Sequence, residues 1–310
     1  MIFPPTFKQL KYLTALHRTN HFGKAAALCH VTQSTLSAGI QELESLLGAQ
    51  LVERTKRNVM FTAIGQEVVR RAQKILNDVE DLTSMAAAAK DPLTGIVRLG
   101  IIPTIAPFIL PRIMPAIRAD LPGIELHLRE DKSSELCELI RTGDLDLVLY
   151  ALPYACGEVV EMPLFEDPFV AAYPPGKAPG KTIRRDQISQ EKLLLLEEGH
   201  CLRDHALAAC ALMGKSAEAA LAGTSLHTIV QMVAAGHGIT LLPGMAVEAG
   251  LAADAGVEVA SFSDATPVRT IGLIWRHTNP RATTFEALGR TIQRVMRPSE
   301  AKSDRARGAA

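Results

Sequence analysis

The chain has 310 residues, with 33 Lys and Arg against 33 Asp and Glu, which is long enough for two or three domains around a sizeable core. The charge is uneven, because residues 1–90 hold 11 Lys and Arg against 7 Asp and Glu whereas the remainder holds 22 against 26. A basic first part is compatible with nucleic-acid binding there. Five cysteines at irregular spacings argue against a secreted disulfide framework and indicate a reducing cytoplasm.

Neither a secretory signal nor a membrane span is expected. The first five residues lack a basic start, and Lys8 and Lys11 interrupt the apolar residues that follow. The most apolar stretch, residues 101–117, is broken by four prolines and contains Arg112. We therefore expect no membrane partner.

Residues 6–62 predict three short helices and a β-hairpin. The first two helices are expected at about 6–18 and 22–28, and Thr32 is expected to cap the third. The third helix should end at Gly48. Its predicted buried face consists of Leu36, Ile40, Leu43 and Leu47. Residues 51–54 and 59–62 are the predicted strands.

This arrangement predicts a winged helix-turn-helix, because the alanines of the second helix let the third approach closely. The third helix would enter the DNA major groove with its N-terminus first. The residues expected to contact bases or phosphates are Thr32, Gln33, Ser34, Thr35 and Ser37 of the helix and Arg54, Lys56 and Arg57 of the wing. The alternative is an ordinary α/β surface with solvated basic side chains.

Residues 63–90 predict one long amphipathic helix. Its apolar positions recur every three or four residues at Ile64, Val68, Ala72, Ile75, Val79 and Leu82. No neighbouring domain is expected to cover this stripe, so the helix is predicted to be a linker through which two copies of the chain dimerise.

Residues 91–310 predict an effector domain in which strands and helices alternate. Such alternation is typical of a mostly parallel sheet, and ligands of such folds bind beyond the strand ends. We expect two α/β lobes with a cleft between them. Lobe I takes about 91–166 and 270–298, lobe II about 167–269, and residues 299–310 are expected to be a disordered tail.

Two cysteines nine positions apart, Cys201 and Cys210, share a Leu/Ala-rich run that predicts a helix. Nine helical residues rise ~13.5 Å and turn ~900°, which places the two thiols on opposite faces. A disulfide needs Cα atoms within about 7 Å. This pair can therefore bond only if the segment refolds, which makes it a candidate redox switch.

The N-terminal region resembles the DNA-binding domain of LysR-type transcriptional regulators. The resemblance is carried by Phe22, Ala25, Ala26, Val31, Thr32, Gln33, Ser34, Leu36, Ser37, Ile40, Leu43, Glu44, Leu47, Gly48, Leu51 and Arg54. Residues 233–243 are similar to the effector domain of the same family. The resemblance covers all of the chain except the tail and implies an α/β protein with a winged helix-turn-helix, a linker helix and a two-lobed, periplasmic-binding-protein-like effector domain.

Within that family, residues 199–204 with Cys210 resemble the subgroup of hydrogen-peroxide sensors. The resemblance implies that Cys201 is the peroxidatic cysteine and Cys210 the resolving one. It also implies a peroxide pocket formed by Thr104, Ser133, His200, Arg203, Asp204 and Arg269. In a pocket of this kind, Thr104 and Ser133 would orient the peroxide and Arg269 would stabilise the developing charge. His200 and Arg203 would add hydrogen-bond donors for the thiolate, and Asp204 would hold Arg203 or His200 in place.

The other cysteines are Cys29, Cys137 and Cys156. They have no comparable charged and polar neighbours in the sequence, so they are expected to be non-catalytic. The histidines share no metal-ligand spacing with acidic partners, so no metal is predicted. No other cofactor is predicted either.

The sequence as a whole predicts a cytoplasmic regulator, not an enzyme, that binds double-stranded DNA and is switched by hydrogen peroxide. The resemblance implies a homo-oligomer built as a dimer of dimers, contact with RNA polymerase, and reduction by glutaredoxin or thioredoxin. One alternative is a LysR-type regulator that binds a small metabolite in the cleft. Another is a thiol peroxidase, although the chain lacks a Cys-X-X-Cys motif. A periplasmic solute-binding protein would share the two-lobed architecture, but residues 1–90 argue against this alternative.

Overall fold

The fold is described from a computed structural model of the chain. The structure describes residues 4–54, 59–88, 91–188, 192–209, 222–223, 225–264 and 266–297. Two compact units are present. The first comprises residues 1–89 with 142–144, and the second comprises residues 90–141 with 145–310.

The first unit has the predicted order of helices and strands. Its elements are α1 (Phe7–Thr19), α2 (Phe22–Leu28), α3 (Gln33–Leu47), β1 (Val52–Arg54), β2 (Val59–Phe61) and α4 (Ala63–Ala88). The antiparallel pairing of β1 with β2 forms the predicted hairpin. Residues 55–58, which include Lys56 and Arg57 of the predicted wing, lie outside the described residues.

Small residues allow the three short helices of this unit to pack closely. Ala25 and Ala26 of α2 are buried, and a Cβ at Gly39 of α3 would come within 2.7 Å of the Tyr12 ring on α1. Thr32 caps α3 by accepting a hydrogen bond from the Thr35 amide, and Gly48 ends the helix with φ +64°, as predicted.

Two predictions about buried helix faces were wrong. In α3 the face is shorter than expected, because Leu47 is 40% exposed while Leu36, Ile40 and Leu43 are buried. In α4 the N-terminal half does have a neighbour. Its Val69, Ala72 and Leu76 join the core of the first unit, where α4 packs against α1. Most of the stripe predicted from the sequence lies beside this buried face and is exposed, namely Ile64, Ile75, Val79 and Leu82.

The second unit alternates strands and helices as predicted and adds elements that the sequence did not reveal. Its helices are α5 (Ala106–Asp120), α6 (Ser133–Thr142), α7 (Arg185–Ile188), α8 (Cys201–Ala209), α9 (Leu226–Ala234), α10 (Gly244–Glu248), α11 (Leu251–Asp254) and α12 (Ala282–Met296). Its strands are β3 (Gly95–Ile101), β4 (Ile124–Glu130), β5 (Leu147–Leu152), β6 (Val159–Tyr173), β7 (Thr182–Ile183), β8 (Leu195–Leu196), β9 (Ala222–Gly223), β10 (Thr240–Pro243), β11 (Glu258–Phe262) and β12 (Val268–Arg276).

Two antiparallel strands connect the lobes of this α/β unit. Strands β4, β3 and β5 run parallel, and β12 pairs antiparallel with both β5 and β6. Strand β6 continues past this region to pair with β10 and β11. Strands β6 and β12, which carry the chain between the two halves of the sheet, were not predicted from the sequence. The lobe boundaries at 166/167 and 269/270 remain predictions.

The described helices of the chain include none that is both long and apolar enough to span a bilayer.

Candidate functional site: a buried thiol beside an arginine network

Cys201 is the first residue of α8, as predicted. The chain enters this helix through Gly199, whose φ of +90° is a conformation that L side chains rarely adopt. The Cys201 side chain is only 2% exposed and belongs to the core of the second unit. Cys201 is a free thiol in this structure.

The environment of Cys201 favours the thiol over the thiolate. Burial raises the pKa of Cys201 above its ordinary value, and the nearby carboxylate of Asp204 adds to this rise. Three neighbouring groups act in the opposite direction on this pKa: the Ser133 hydroxyl, the charge of Arg269 and the Ala151 backbone. The Ser133 Oγ itself is buried without a hydrogen-bond partner. Burial is the largest of these effects, so the pKa of Cys201 stays above its ordinary value.

Arg269 is fully buried and held by a set of strong partners. Its Nε donates to the Asp167 carboxylate at 2.9 Å, Nη1 donates to the Thr104 hydroxyl at 3.0 Å, and Nη2 donates to the Thr104 carbonyl at 3.0 Å. The other oxygen of Asp167 accepts from the Met245 amide at 2.9 Å. Arg269 and Asp167 are also directly opposite each other in the pairing of β12 with β6.

The structure thus brings together Cys201, Ser133, Thr104 and Arg269, which the sequence predicted as parts of one pocket. Thr104 and Ser133 are 2% and 1% exposed. Because the Thr104 oxygen accepts from Arg269, its own proton remains available for another acceptor.

His200 precedes Cys201 and is buried, which favours its neutral ring. Burial and the charge of Lys132 lower the pKa of His200, and Glu197 partly opposes this effect. Lys132 and Glu197 form an ion pair at 2.5 Å. The Nε2 of His200 is buried without a hydrogen-bond partner.

His205 lies one helical turn after Cys201 and was not among the residues predicted for this pocket. Its ring lies beside the backbone of Pro153, and its Nδ1 is buried without a hydrogen-bond partner. Burial lowers the pKa of His205 and so favours the neutral ring. Its position four residues after a cysteine on a helix was the available signal.

Two residues predicted for the pocket, Arg203 and Asp204, do not make the contacts expected of them. The Arg203 guanidinium donates to the Leu196 carbonyl at 3.2 Å, and it is not among the groups that act on the pKa of Cys201. Asp204 is exposed and, among the described residues, makes no ion pair with Arg203 or His200. The expectation that Asp204 holds one of these two side chains was wrong, since α8 directs Arg203 toward Leu196.

Cys210, the predicted resolving cysteine, lies outside the described residues. Helix α8 contributes Leu202 and Ala206 to an apolar pocket that it shares with β8, α9 and β10. The helix has only nine residues, so its stability comes from this packing more than from its intrinsic propensity.

The structure joins two cysteines that were not predicted to bond. Cys137 of α6 and Cys156 of the segment after β5 form a disulfide with a Cα–Cα distance of 5.3 Å. Their 19-residue separation gave no signal of proximity. In the described part of the chain, no three His, Cys, Asp or Glu side chains are grouped to hold a metal ion.

In the first unit, the predicted DNA-reading residues lie at the start of α3. Thr32, Gln33, Ser34 and Thr35 are exposed and Ser37 is half-buried. The Thr32 hydroxyl also hydrogen-bonds to those of Ser34 and Thr35, at 2.9 and 2.8 Å. Arg54 is the last residue of β1.

Comparison with known families identifies both units. Residues 7–66 match the bacterial regulatory helix-turn-helix protein family of lysR type, and residues 90–297 match the LysR substrate binding domain. The chain belongs to the LysR family of transcription regulators. This LysR-family chain therefore has the DNA-binding and two-lobed effector architecture that its sequence predicted.

Several relatives of this LysR-family regulator match it along nearly its full length. It is 40% identical to the transcriptional regulator EstR of Acinetobacter baylyi over 94% of this chain and 97% of that protein. It is 38% identical to the dual regulator OxyR of Escherichia coli over 93% and 95% of the two chains.

Solved structures of OxyR proteins are also similar to this regulator. A full-length OxyR variant from Pseudomonas aeruginosa has a TM-score of 0.75 at 34% identity, covering 94% of this chain and 95% of its own. A hydrogen-peroxide-bound OxyR variant from Corynebacterium glutamicum has a TM-score of 0.65 at 32% identity, covering 100% of this chain and 98% of its own.

Proposed function

We propose that this LysR-family chain is a cytoplasmic, DNA-binding regulator that senses hydrogen peroxide at Cys201. The observation that supports this most is the convergence on one buried thiol of the Ser133 hydroxyl and the Arg269–Thr104 pair. Solved relatives include a peroxide-bound OxyR variant, and E. coli OxyR is a regulator at 38% identity.

The first step is attack of the Cys201 sulfur on one peroxide oxygen. An S–O bond forms, the O–O bond breaks, and the departing hydroxide takes up the thiol proton to leave as water. Ser133 stabilises negative charge on the sulfur, and the Thr104 proton is available for a peroxide oxygen. The Arg269 charge stabilises the departing oxygen.

The second step is attack of Cys210 on the sulfenic sulfur, which forms the disulfide and releases a second water. Closing this loop stabilises the refolded state by roughly 2–3 kcal/mol in the chain-entropy model. The bond requires α8 to unwind from its apolar pocket, so the effector unit changes its packing. Glutaredoxin or thioredoxin would return the disulfide to two thiols.

In this proposal, the change in packing of the effector unit alters DNA binding through the arrangement of the subunits in an oligomer. The exposed apolar side chains of α4 suit contact with a second copy, and a dimer of dimers would place several α3 helices on one operator. RNA polymerase is the expected partner at the promoter.

Footprinting on one operator, before and after stoichiometric peroxide, tests this function. We expect the wild-type footprint to change and a reductant to restore it. Cys201→Ser should bind the operator but give the same footprint with and without peroxide. Cys29→Ser, which removes a free thiol of the first unit, is the matched control and should respond like the wild type. A peroxide-dependent footprint in Cys201→Ser would refute the proposal.

A further inference from the structure

The disulfide between Cys137 and Cys156 joins two segments that both lie against α8 or its entry. Cys137 lies one turn after the start of α6, where Lys132 pairs with Glu197 and Ser134 faces Gly199, just before Cys201. Cys156 lies three residues after Pro153, whose backbone is beside the buried ring of His205 of α8. The covalent bond therefore connects two supports of α8.

We propose that Cys137 and Cys156 are a second redox pair, whose disulfide fixes these two supports and increases the reactivity of Cys201. The effect on Cys201 rests on the proposed function, whereas the chemistry of the pair itself does not. In this structure Cys201 is a free thiol while the pair is bonded, so the two redox centres are separate.

The pair suits reversible oxidation because its geometry needs no refolding. A Cα–Cα distance of 5.3 Å lies within the usual range for a disulfide. The Cys201–Cys210 bond, in contrast, requires a helix to unwind. A regulator that works on cytoplasmic DNA meets reducing thiols, and disulfides there are typically transient or redox-sensing. The dithiol is therefore the resting form of this pair.

The oxidant is hydrogen peroxide, and the reaction balances with two electrons. The sulfur of Cys137, which is more exposed than buried Cys156, attacks one peroxide oxygen and releases water, its thiol proton leaving with the hydroxide. The Cys156 sulfur then attacks the sulfenic sulfur, so that the S–S bond forms, the S–O bond breaks and a second water leaves. A dithiol reductant reverses the change by supplying two electrons and two protons.

The disulfide would affect Cys201 through the positions of the two segments that lie against α8. With the bond closed, the start of α6 and the segment after β5 are held together, so Ser133 and Pro153 keep their places beside Cys201 and His205. With the bond open, these segments move more independently. Small misplacements of catalytic groups are costly, so Cys201 should react more slowly in the dithiol form.

The first test isolates the pair in the full-length Cys201→Ser variant. The protein is reduced with dithiothreitol, freed of reductant, treated with stoichiometric peroxide, and mapped by differential alkylation and mass spectrometry. We expect Cys137 and Cys156 to be alkylated before peroxide and joined to each other afterwards. Two thiols that stay alkylatable after peroxide would overturn the proposal, as would a bond that resists the reductant. Because Cys201 is absent, this result does not depend on the proposed function.

The second test measures the second-order rate constant for oxidation of Cys201 by peroxide. The reference is wild-type protein in which the Cys137–Cys156 bond is formed. The Cys137→Ser/Cys156→Ser double variant should react about tenfold more slowly than this reference. Cys29→Ser is the control, because it removes a free thiol from the first unit and should keep the wild-type rate. Circular dichroism and thermal melting verify that each variant is folded. An unchanged rate in the folded double variant would overturn the coupling to Cys201.

Discussion

The ion pair between Arg269 and Asp167 is the most deeply buried charged contact of the site, with side-chain exposures of 0% and 3%. Removing one partner of such a pair leaves the other charge without compensation. Asp167→Asn keeps the shape of the side chain and removes its charge. We expect it to lower the free energy of unfolding by about 3–5 kcal/mol, as measured by urea denaturation.

A matched control for this substitution is Glu286→Gln, which breaks the ion pair with Arg290 on the surface of α12. Both of these side chains are at least half exposed, and such pairs contribute less than about 1 kcal/mol. Equal losses of stability in the two variants would contradict the assigned role of burial.

The raised pKa of Cys201 predicts how the sensing reaction depends on pH. The thiolate is the nucleophile, and below the pKa its fraction grows about tenfold per pH unit. The rate of Cys201 oxidation by peroxide should therefore rise continuously from about pH 6 to about pH 8. The measurement is the loss of the Cys201 thiol in Cys210→Ser, followed by mass spectrometry. A plateau that begins below about pH 7 would show a lowered pKa instead.

The glycine that precedes α8 combines a backbone requirement with a tight contact. Gly199 has φ +90°, and a Cβ there would come within 3.3 Å of the Ser134 hydroxyl on α6. Gly199→Ala should therefore destabilise the protein by about 1–2 kcal/mol and shift the entry of α8. We expect a lower melting temperature and a changed rate of Cys201 oxidation.

Gly176→Ala is the control that separates strain from contact. Gly176 also has a positive φ, +69°, but no heavy atom lies within 4 Å of the place that a Cβ would take there. This variant should lose stability while Cys201 keeps its wild-type rate. The same change of rate in both variants would show that the contact with Ser134 has no role.

The sequence was sufficient for elements whose signals are local. Thr32 and Gly48 marked the ends of α3, and the series of apolar residues marked α4. The residues of the thiol pocket came from a family resemblance, and the structure places Thr104, Ser133 and Arg269 around Cys201.

Other features depend on contacts between distant parts of the chain. Asp167 and Arg269 meet only because β6 and β12 pair, 102 residues apart in sequence. The bond between Cys137 and Cys156 likewise depends on the packing of α6 beside the segment after β5. The protonated state of Cys201 could not be predicted either, since burial is a property of the folded chain.

The first unit presents an apolar stripe that one chain alone leaves in water. Ile64, Ile75, Val79 and Leu82 of α4 are between 36% and 63% exposed. Their spacing puts them on one face of the helix, next to the buried face that packs on α1. A second copy of the chain is the occupant that we expect.

Charge placed in this stripe should separate the copies. Ile75→Glu/Leu82→Glu is expected to give a smaller particle in analytical ultracentrifugation and weaker operator binding, because two half-sites would no longer be held together. Gln66→Glu, at an exposed position on the opposite side of the same helix, is the charge-changing control. A double variant that sediments like the wild type would contradict the proposed interface.

The burial of Cys201 also determines which oxidants and electrophiles can reach it. Only 2% of the Cys201 surface is exposed, so we expect a molecule of two heavy atoms to reach the sulfur more readily than a bulky reagent. The less buried Cys29 has no such barrier. Iodoacetamide should therefore label Cys29 well before Cys201, and hydrogen peroxide should oxidise Cys201 faster than cumene hydroperoxide does. On this expectation, the same core that raises the pKa of the thiol also selects oxidants by size, in favour of the smallest peroxides.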